Sequence, residues 1–173
     1  MDTYEAIARK LDVREFARKP VPGEIKRKIL ESARLTGSSM NSQHWRFILI
    51  QDGANLKKLA QDSSTGAWVE KADFAILILI NPKIPGSVID AGRVLQDMEL
   101  AAWNFGVASR LYTGMVQDAL RKDFGVPAEL TPAAVLGFGY PANKIQGKKD
   151  RKPLRDLAFA ERYGNPLDPK LLS

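Results

Sequence analysis

Apolar residues recur along the chain at two spacings, one typical of helices and one typical of buried strands. Helical spacing occurs in five segments, at residues 4–11, 22–36, 55–61, 90–105 and 116–124. Four further segments are apolar over short lengths and predict strands, at residues 46–51, 74–80, 108–112 and 133–140. Helices and strands therefore alternate, with no internal repeat and no convincing boundary. This predicts a single domain over residues 1–173 in which helices cover a sheet.

Two segments define the expected core of this domain. Residues 74–80 are apolar on both faces, which is typical of a central strand covered by helices on both sides. Residues 90–105 place Val94, Met98 and Ala102 at helical spacing, so they predict a buried central helix that ends at Gly106. Gly37 is expected to end the second helix in a left-handed turn.

A run of uncharged hydrogen-bonding side chains joins the second helix to the first strand. It has the sequence Ser-Ser-Met-Asn-Ser-Gln-His-Trp-Arg-Phe over residues 38–47. Serine, asparagine and glutamine supply donors and acceptors without net charge, which suits a small molecule that is polar along one edge. The same residue types are common in ordinary loops, so the run alone leaves a ligand site and a plain connection both open.

Composition narrows the possible functions. The chain has no cysteine, which excludes disulfides, thiolate metal sites and a cysteine nucleophile. Its one histidine, His44, leaves no pair for a two-histidine metal site, and we expect no metal. The chain also lacks a long apolar stretch and a basic start followed by an apolar segment. We therefore expect no membrane association and a cytoplasmic location.

Positive charge is concentrated near the C-terminus. The net charge is +6, from 26 basic and 20 acidic residues, which makes an anionic partner plausible without requiring a nucleic acid. The stretch 144–155 combines six basic side chains with Gly147 and Pro153, so it predicts a loop that can reach an anion. Lys149 and Arg151 are two positions apart. In an extended segment they share one side, and Asp150 between them points away.

Three blocks in this order resemble the nitroreductase family of FMN-dependent oxidoreductases. The first is Lys-Leu-Asp-Val-Arg-Glu-Phe at residues 10–16 with Pro-Val-Pro at 20–22, and the second is the polar run at 38–47. The third is Gly-Phe-Gly-Tyr-Pro at 137–141 with Lys-Lys-Asp-Arg-Lys-Pro-Leu at 148–154. The second block is the most specific, and the similarity covers essentially the whole chain. In this context the polar run is more readily explained as a ligand site than as a plain loop.

The resemblance implies an α+β fold with a mixed central sheet wrapped by helices, and an intertwined homodimer with FMN sites at the subunit interface. Residues 153–173 would then be an arm on the partner subunit, as their stripe Leu154, Leu157, Ala158 and Phe159 also suggests. It further implies NADH or NADPH as the reductant and a small organic molecule as the electron acceptor. No nucleic acid is expected as a partner.

The resemblance also assigns cofactor contacts. Lys10 would approach the FMN phosphate together with Lys149 and Arg151, and Arg14 would approach the pyrimidine edge, where a cation stabilises the reduced flavin. Lys10 and Arg14 would share a face if the first helix continued through them. A surface ion pair of Arg14 with Glu15 or Glu24 is the alternative. The remaining assigned contacts are Leu11, Asp12, Ser38, Ser39, Asn41, Trp68, Thr113 and Gly114.

Several of these positions depart from the family pattern or allow a second interpretation. Lys10 and Asp12 stand where the family usually has Arg and Ser, so Asp12 either points away from the phosphate or orders a cation such as Arg9 or Arg14. Trp68 either walls the flavin pocket or packs in the core. Gly114 is either a flavin contact or a plain turn glycine.

His44 replaces the usual proline of the middle block. A histidine can deliver a proton at neutral pH, although the family needs no catalytic side chain there.

Three functions follow from these observations. The first is an FMN-dependent oxidoreductase that passes a hydride from NAD(P)H through flavin N5 to a nitroaromatic, quinone or enone, by a ping-pong cycle. The second is a protein that stores, senses or fragments FMN without NAD(P)H turnover, which the changes at Lys10 and Asp12 keep open. The third, a nucleic-acid-binding module, is supported by charge alone.

Overall fold

Within the part of the chain that the structure describes, five α-helices and four strands follow one another in the predicted order. A computed structural model describes residues 2–168 and 170. The helices are α1 Thr3–Arg9, α2 Gly23–Leu35, α3 Gly53–Gln61, α4 Ser87–Asn104 and α5 Gln117–Phe124. The strands are β1 Arg46–Ile50, β2 Phe74–Ile80, β3 Ala108–Tyr112 and β4 Thr131–Gly139. The predicted α+β class is confirmed.

The four strands form one antiparallel sheet in the order β1-β2-β4-β3. The expectation of a mixed sheet is therefore wrong for these strands. Within residues 2–168 and 170 the one parallel pairing is an isolated bridge between Asp12 and Ser109. β4 enters between β2 and β3, and it runs opposite to both of them. Every residue of β2 is buried, because helices cover both faces of the sheet.

Alternate residues of β2 separate the core into two clusters, one on each face of the sheet. Ala75, Leu77 and Leu79 pack with residues of α3 and α5. Phe74, Ile76 and Ile78 point to the other face and pack with residues of α2 and α4, and Phe74 stacks on Phe138 of β4 with ring centroids 4.8 Å apart. The long helix α4 thus covers one face of the sheet, with Val94, Met98 and Ala102 buried as predicted.

The helix end expected at Gly106 is confirmed, and the left-handed turn expected at Gly37 is wrong. Gly106 and Gly125 adopt the left-handed conformation, with φ of 70° and 62°, after α4 and α5. Gly37 does not, because α2 already ends at Leu35 and Thr36 caps it in an extended conformation. A Cβ at Gly37 would lie 2.7 Å from Nη2 of Arg93, so the guanidinium packs close to the backbone there.

The C-terminal segment lies largely in solvent. A short helical turn at Leu154–Asp156 precedes a tight bend in which Phe159 pairs with Pro166 and packs on Tyr163. The predicted arm spans residues 153–173, of which 169 and 171–173 lie outside the described residues. Among the helices in the described part of the chain, none has the length and apolar character needed to cross a bilayer.

Candidate functional site

The segment after α1 carries a buried lysine. α1 ends at Arg9, and Lys10 leaves the helix with ψ of 123°, so the chain turns and Asp12 bridges to Ser109 of β3. The helix does not continue through these residues, so the condition for Lys10 and Arg14 to share a helical face is not met. The side chain of Lys10 instead turns inward, where its Nζ donates to Glu99 Oε1 at 2.6 Å and to Asp12 Oδ1.

Glu99 is the buried partner that Lys10 neutralises. It lies on α4, its side chain is 6% exposed, and Oε1 also accepts a hydrogen bond of 3.0 Å from Ser109 Oγ. A buried carboxylate without such partners is strongly unfavourable. Asp12 Oδ2 lies 3.7 Å from Arg110 Nη1, so Asp12 orders Lys10 and Arg110. The sequence left open whether Asp12 points away from the phosphate or orders a cation such as Arg9 or Arg14. Asp12 does order cations, but they are Lys10 and Arg110.

One cavity of about 390 Å³ collects the residues predicted for an anionic ligand. We call it the anion cavity, and it is lined by Lys10, Leu11, Asp12, Gln96, Glu99, Lys149 and Arg151. The N-terminal and C-terminal blocks, which are more than a hundred residues apart, meet here as expected. Lys149 and Arg151 both face the cavity, and Asp150 does not line it, as their spacing predicted.

Lys149 and Arg151 are the cations of this cavity that remain available to an anion. Lys149 Nζ donates to the backbone carbonyl of Ile7, and Arg151 Nη1 donates to the carbonyl of Asp150 at 2.7 Å. Neither forms an ion pair with a carboxylate within residues 2–168 and 170. Lys10 differs, because two carboxylates already surround its ammonium group.

Arg14 is exposed and lines a neighbouring cavity of about 340 Å³. The other lining residues include Asp12, Arg110, Lys144 and Ile145. Asp12 lines both cavities and therefore lies between them. Among the described residues Arg14 forms no ion pair, so the alternative pair with Glu15 or Glu24 is absent there.

The polar run forms a strained loop beside the start of α4. Met40, Asn41 and Gln43 have φ of 51°, 54° and 45°, a left-handed conformation that costs a non-glycine residue on the order of 1 to 3 kcal/mol. Ser38 Oγ accepts from the backbone N–H of Gln43 at 2.9 Å, and Ser39 N–H donates to Asp90 Oδ2 at 2.8 Å. Such strain persists only where the surroundings enforce it.

His44 follows this loop and is buried. Its Nε2 lies 3.4 Å from Asp90 Oδ2, and its ring packs edge-on against Trp45 at 5.6 Å. Its Nδ1 has no hydrogen-bond partner among the residues that the structure describes. Ser38, Ser39 and Asn41 line neither of the two cavities above. Asp90, which binds the loop, and Glu99, which binds Lys10, are nine residues apart on α4. These two contacts are therefore about 14 Å apart along the helix.

Trp68 is partly buried and packs against the core cluster that contains Val69 and Tyr112, and its place in a flavin pocket stays a prediction. Its ring lies 6.3 Å from Phe16 and 5.8 Å from Tyr112, and it covers Gly137 of β4 so closely that a Cβ there would be 2.6 Å from the indole. Only glycine fits beneath the ring.

Thr113 and Gly114 form the turn after β3. The carbonyl of Gly114 accepts from Ser64 N–H at 2.9 Å, and a Cβ on Gly114 would lie 2.6 Å from the hydroxyls of Ser64 and Thr65. Gly114 thus has a packing reason of its own. Tyr112 anchors the preceding strand end, because its hydroxyl donates to the carbonyl of Leu59 at 3.1 Å, and burial raises the pKa of this phenol above its usual range.

Comparison with known proteins agrees with the three sequence blocks. The sequence profile of the Nitroreductase family matches residues 7–83. A protein of Methanothermobacter thermautotrophicus named "Putative NADH dehydrogenase/NAD(P)H nitroreductase" is 31% identical over 151 residues, which cover 82% of this chain and 78% of that protein. The chain belongs to the nitroreductase family. The family predicted from the sequence is confirmed.

Two further relatives of this nitroreductase-family chain extend the comparison. The NADPH-flavin oxidoreductase of Vibrio harveyi is 23% identical, with 94% of this chain and 75% of that protein covered. An FMN-dependent nitroreductase from Clostridium difficile R20291 superposes with a TM-score of 0.86 at 20% identity, covering 93% of this chain and 100% of that one. At this identity the superposition establishes the nitroreductase fold.

Three residues of the candidate site were not predicted from the sequence. Gln96 and Glu99 line the anion cavity, and Asp90 binds the polar loop. A signal for Asp90 was present, because it lies four positions before Val94 on the stripe that buries Met98. A carboxylate on a buried helical face requires a partner, so the position of Asp90 predicted that it binds something. The spacing does not identify what it binds.

Proposed function

We propose that this nitroreductase-family protein is an FMN-dependent NAD(P)H oxidoreductase. When bound, FMN would supply the redox chemistry, accepting a hydride from NADH or NADPH and delivering it to an organic acceptor of the nitroaromatic, quinone or enone class in a ping-pong cycle. The single observation that carries the proposal is the anion cavity. Lys149 and Arg151 face it without carboxylate partners, beside the N-terminal block that the family uses.

The charges of the cavity fit the phosphate end of this cofactor. Three cations and two carboxylates line it, and Lys10 compensates the buried Glu99. Lys149 and Arg151 are left to meet the phosphate, and a charge-assisted hydrogen bond of this kind contributes about 1.5 to 3 kcal/mol. We therefore assign the phosphate to these two side chains and a supporting role to Lys10. Arg14, in the adjoining cavity, is proposed to face the pyrimidine edge of the flavin, with Thr113 and Gly114 beyond it.

The polar loop is proposed to complete the site from a second protomer. Ser38, Ser39 and Asn41 lie about 14 Å along α4 from the Lys10 contact, so the two halves are separated within one chain. Large apolar side chains are exposed on α1, on α4 and on the C-terminal arm, which favours a homodimer: Tyr4 82%, Ile7 47%, Val88 74%, Ile89 72%, Leu154 61% and Leu157 60% exposed. Residues 153–173 would pack on the partner, and a twofold axis would give two equal sites.

Stopped-flow reduction of the bound flavin tests the proposal. The purified protein is expected to show flavin absorption that bleaches on mixing with NADH or NADPH and returns on addition of a quinone. Flavin that binds but is not reduced by either nucleotide would leave storage or sensing of FMN as the function. A colourless protein that does not take up added FMN would contradict a flavin site of any kind.

The homodimer has a separate test. Light scattering after size-exclusion chromatography is expected to give twice the chain mass for the parent protein. Val88→Glu and Ile89→Glu place charges on the exposed face of α4, away from the anion cavity, and are expected to shift the population toward monomers with weaker FMN binding. Monomeric parent protein with full FMN affinity would refute the shared site.

A further inference from the structure

We propose that Asp90 and His44 are positioning residues that hold the polar loop in its flavin-binding shape, through one carboxylate oxygen that contacts both flanks of the strained segment. This inference rests on the proposed function, because it takes residues 38–43 to be part of the flavin site. It assigns His44 a supporting role in place of proton donation. It also gives a role to Asp90, which lies about fifty positions away in sequence.

The strained segment is short and is bracketed by the two contacts. Met40, Asn41 and Gln43 are left-handed, and Ser39 and His44 stand immediately before and after them. Asp90 Oδ2 accepts the Ser39 N–H at 2.8 Å, and the same oxygen is 3.4 Å from Nε2 of His44. A loop tied at both ends to one atom of a rigid helix has little freedom to relax into an ordinary conformation.

The carboxylate is itself held in place. The side chain of Asp90 is 4% exposed, it belongs to the first turn of α4, and its Oδ1 lies 3.6 Å from Nη1 of Arg93. The Arg93 guanidinium in turn lies against Gly37, where a Cβ would be 2.7 Å from Nη2. Asp90 is therefore surrounded by the Ser39 N–H, the His44 ring and the Arg93 cation. A buried carboxylate with this set of partners is a fixed anchor.

The position of His44 argues against direct chemistry. Its side chain is 3% exposed, one ring nitrogen faces Asp90, and the ring edge packs on Trp45. A proton donor must come within hydrogen-bond reach of the reacting atom, and His44 is enclosed by protein on these sides. Its contact with Asp90 is instead suited to fixing where the chain leaves the loop and enters β1.

Substitutions at Asp90 separate positioning from general stability. Asp90→Ala removes the acceptor for Ser39 N–H and is expected to weaken FMN binding about tenfold or more. Asp90→Asn keeps an oxygen acceptor at the same place and is expected to recover most of the affinity, to within about threefold of the parent. Asp97→Ala is the matched control. Asp97 is also on α4 and accepts a hydrogen bond of 2.6 Å from Thr36 Oγ1, but this partner caps α2 and lies outside residues 38–44.

Two readouts on the full chain decide the outcome. FMN affinity is measured by fluorescence titration, and hydrogen–deuterium exchange of residues 38–44 is measured in the flavin-free protein. Asp90→Ala is expected to weaken binding and to accelerate exchange in this segment, and Asp97→Ala is expected to change neither. Equal loss of affinity in the two variants, or unchanged loop exchange in Asp90→Ala, would overturn the inference. If Asp90→Ala is insoluble, His44→Leu takes its place with the same expectations.

Failure of the proposed function gives a different pattern. If the parent protein binds no FMN, the flavin assignment falls and loop exchange alone tests whether Asp90 holds the segment. If the parent binds FMN and Arg151→Ala has no effect, the phosphate assignment is wrong, and the Asp90 comparison is still informative. Accelerated loop exchange combined with unchanged FMN affinity in Asp90→Ala would show that the anchor exists but does not serve the flavin site, and would also overturn the inference.

Discussion

Replacing Lys10 by alanine tests whether this residue is primarily the partner of Glu99. Lys10 Nζ is 2.6 Å from Glu99 Oε1, and the two side chains are 8% and 6% exposed. Alanine would leave the Glu99 carboxylate buried, with Ser109 Oγ as its remaining donor among the described residues. Removal of one partner of a buried ion pair typically costs about 3 to 5 kcal/mol. For a chain of this length that corresponds to a loss of about 6 to 20 °C in the thermal midpoint.

The assay is thermal unfolding of the flavin-free protein followed by circular dichroism. Glu99→Gln is expected to be milder, because Lys10 keeps Asp12 as a partner. The double variant Lys10→Met with Glu99→Leu is expected to recover most of the stability, since a buried ion pair can often be replaced by apolar side chains. A midpoint within about 2 °C of the parent for Lys10→Ala, or a double variant no more stable than Lys10→Ala, would refute the reasoning.

Three further predictions concern other parts of the molecule. Asp12→Ser removes a carboxylate from the anion cavity and is expected to tighten FMN binding about twofold to fivefold in a fluorescence titration, a modest gain because the Asp12 side chain is 45% exposed; weaker binding would contradict it. Burial of Asp62, with Asp123 nearby, raises the pKa of its carboxyl above the ordinary value of 3.8 in the folded protein. Stability is therefore lost as the pH rises from 3.8 through the raised pKa, because the folded state disfavours the ionised carboxylate. Asp62→Asn should therefore raise the thermal midpoint at pH 7, and an equal gain below about pH 4 would count against this cause. Gly137→Ala should displace Trp68 and lower the free energy of unfolding, measured with urea, by about 1 to 3 kcal/mol. An unchanged free energy of unfolding would mean that Trp68 moves aside without loss of packing.

Much of the fold was predictable because its signals are local. Residues 74–80 are apolar on both faces, and they form a strand buried on both sides. The stripe Val94, Met98 and Ala102 marks the buried face of α4. The antiparallel arrangement was not predictable in this way. Strand direction depends on which strands become neighbours, and β4 enters between two strands that precede it in sequence.

The candidate site was predictable where spacing fixes geometry. Lys149 and Arg151 alternate with Asp150 in an extended segment, and both reach the cavity as expected. The partners of Lys10 and of the polar loop were not predictable. Glu99 is 89 positions from Lys10, and Asp90 is 51 from Ser39. These contacts arise from the way α4 packs, which no local pattern encodes.

The assignment of the anion cavity to the FMN phosphate is tested most directly by titrating two flavins against two variants. Riboflavin lacks the phosphate, so the difference between FMN and riboflavin affinity isolates the phosphate contact. Arg151→Ala is expected to weaken FMN binding about tenfold or more and to leave riboflavin binding within about twofold. Lys148→Ala removes a neighbouring cation that does not line the cavity, and it should leave both affinities unchanged. Equal effects of Arg151→Ala and Lys148→Ala on FMN, or equal loss of FMN and riboflavin binding in Arg151→Ala, would contradict the account.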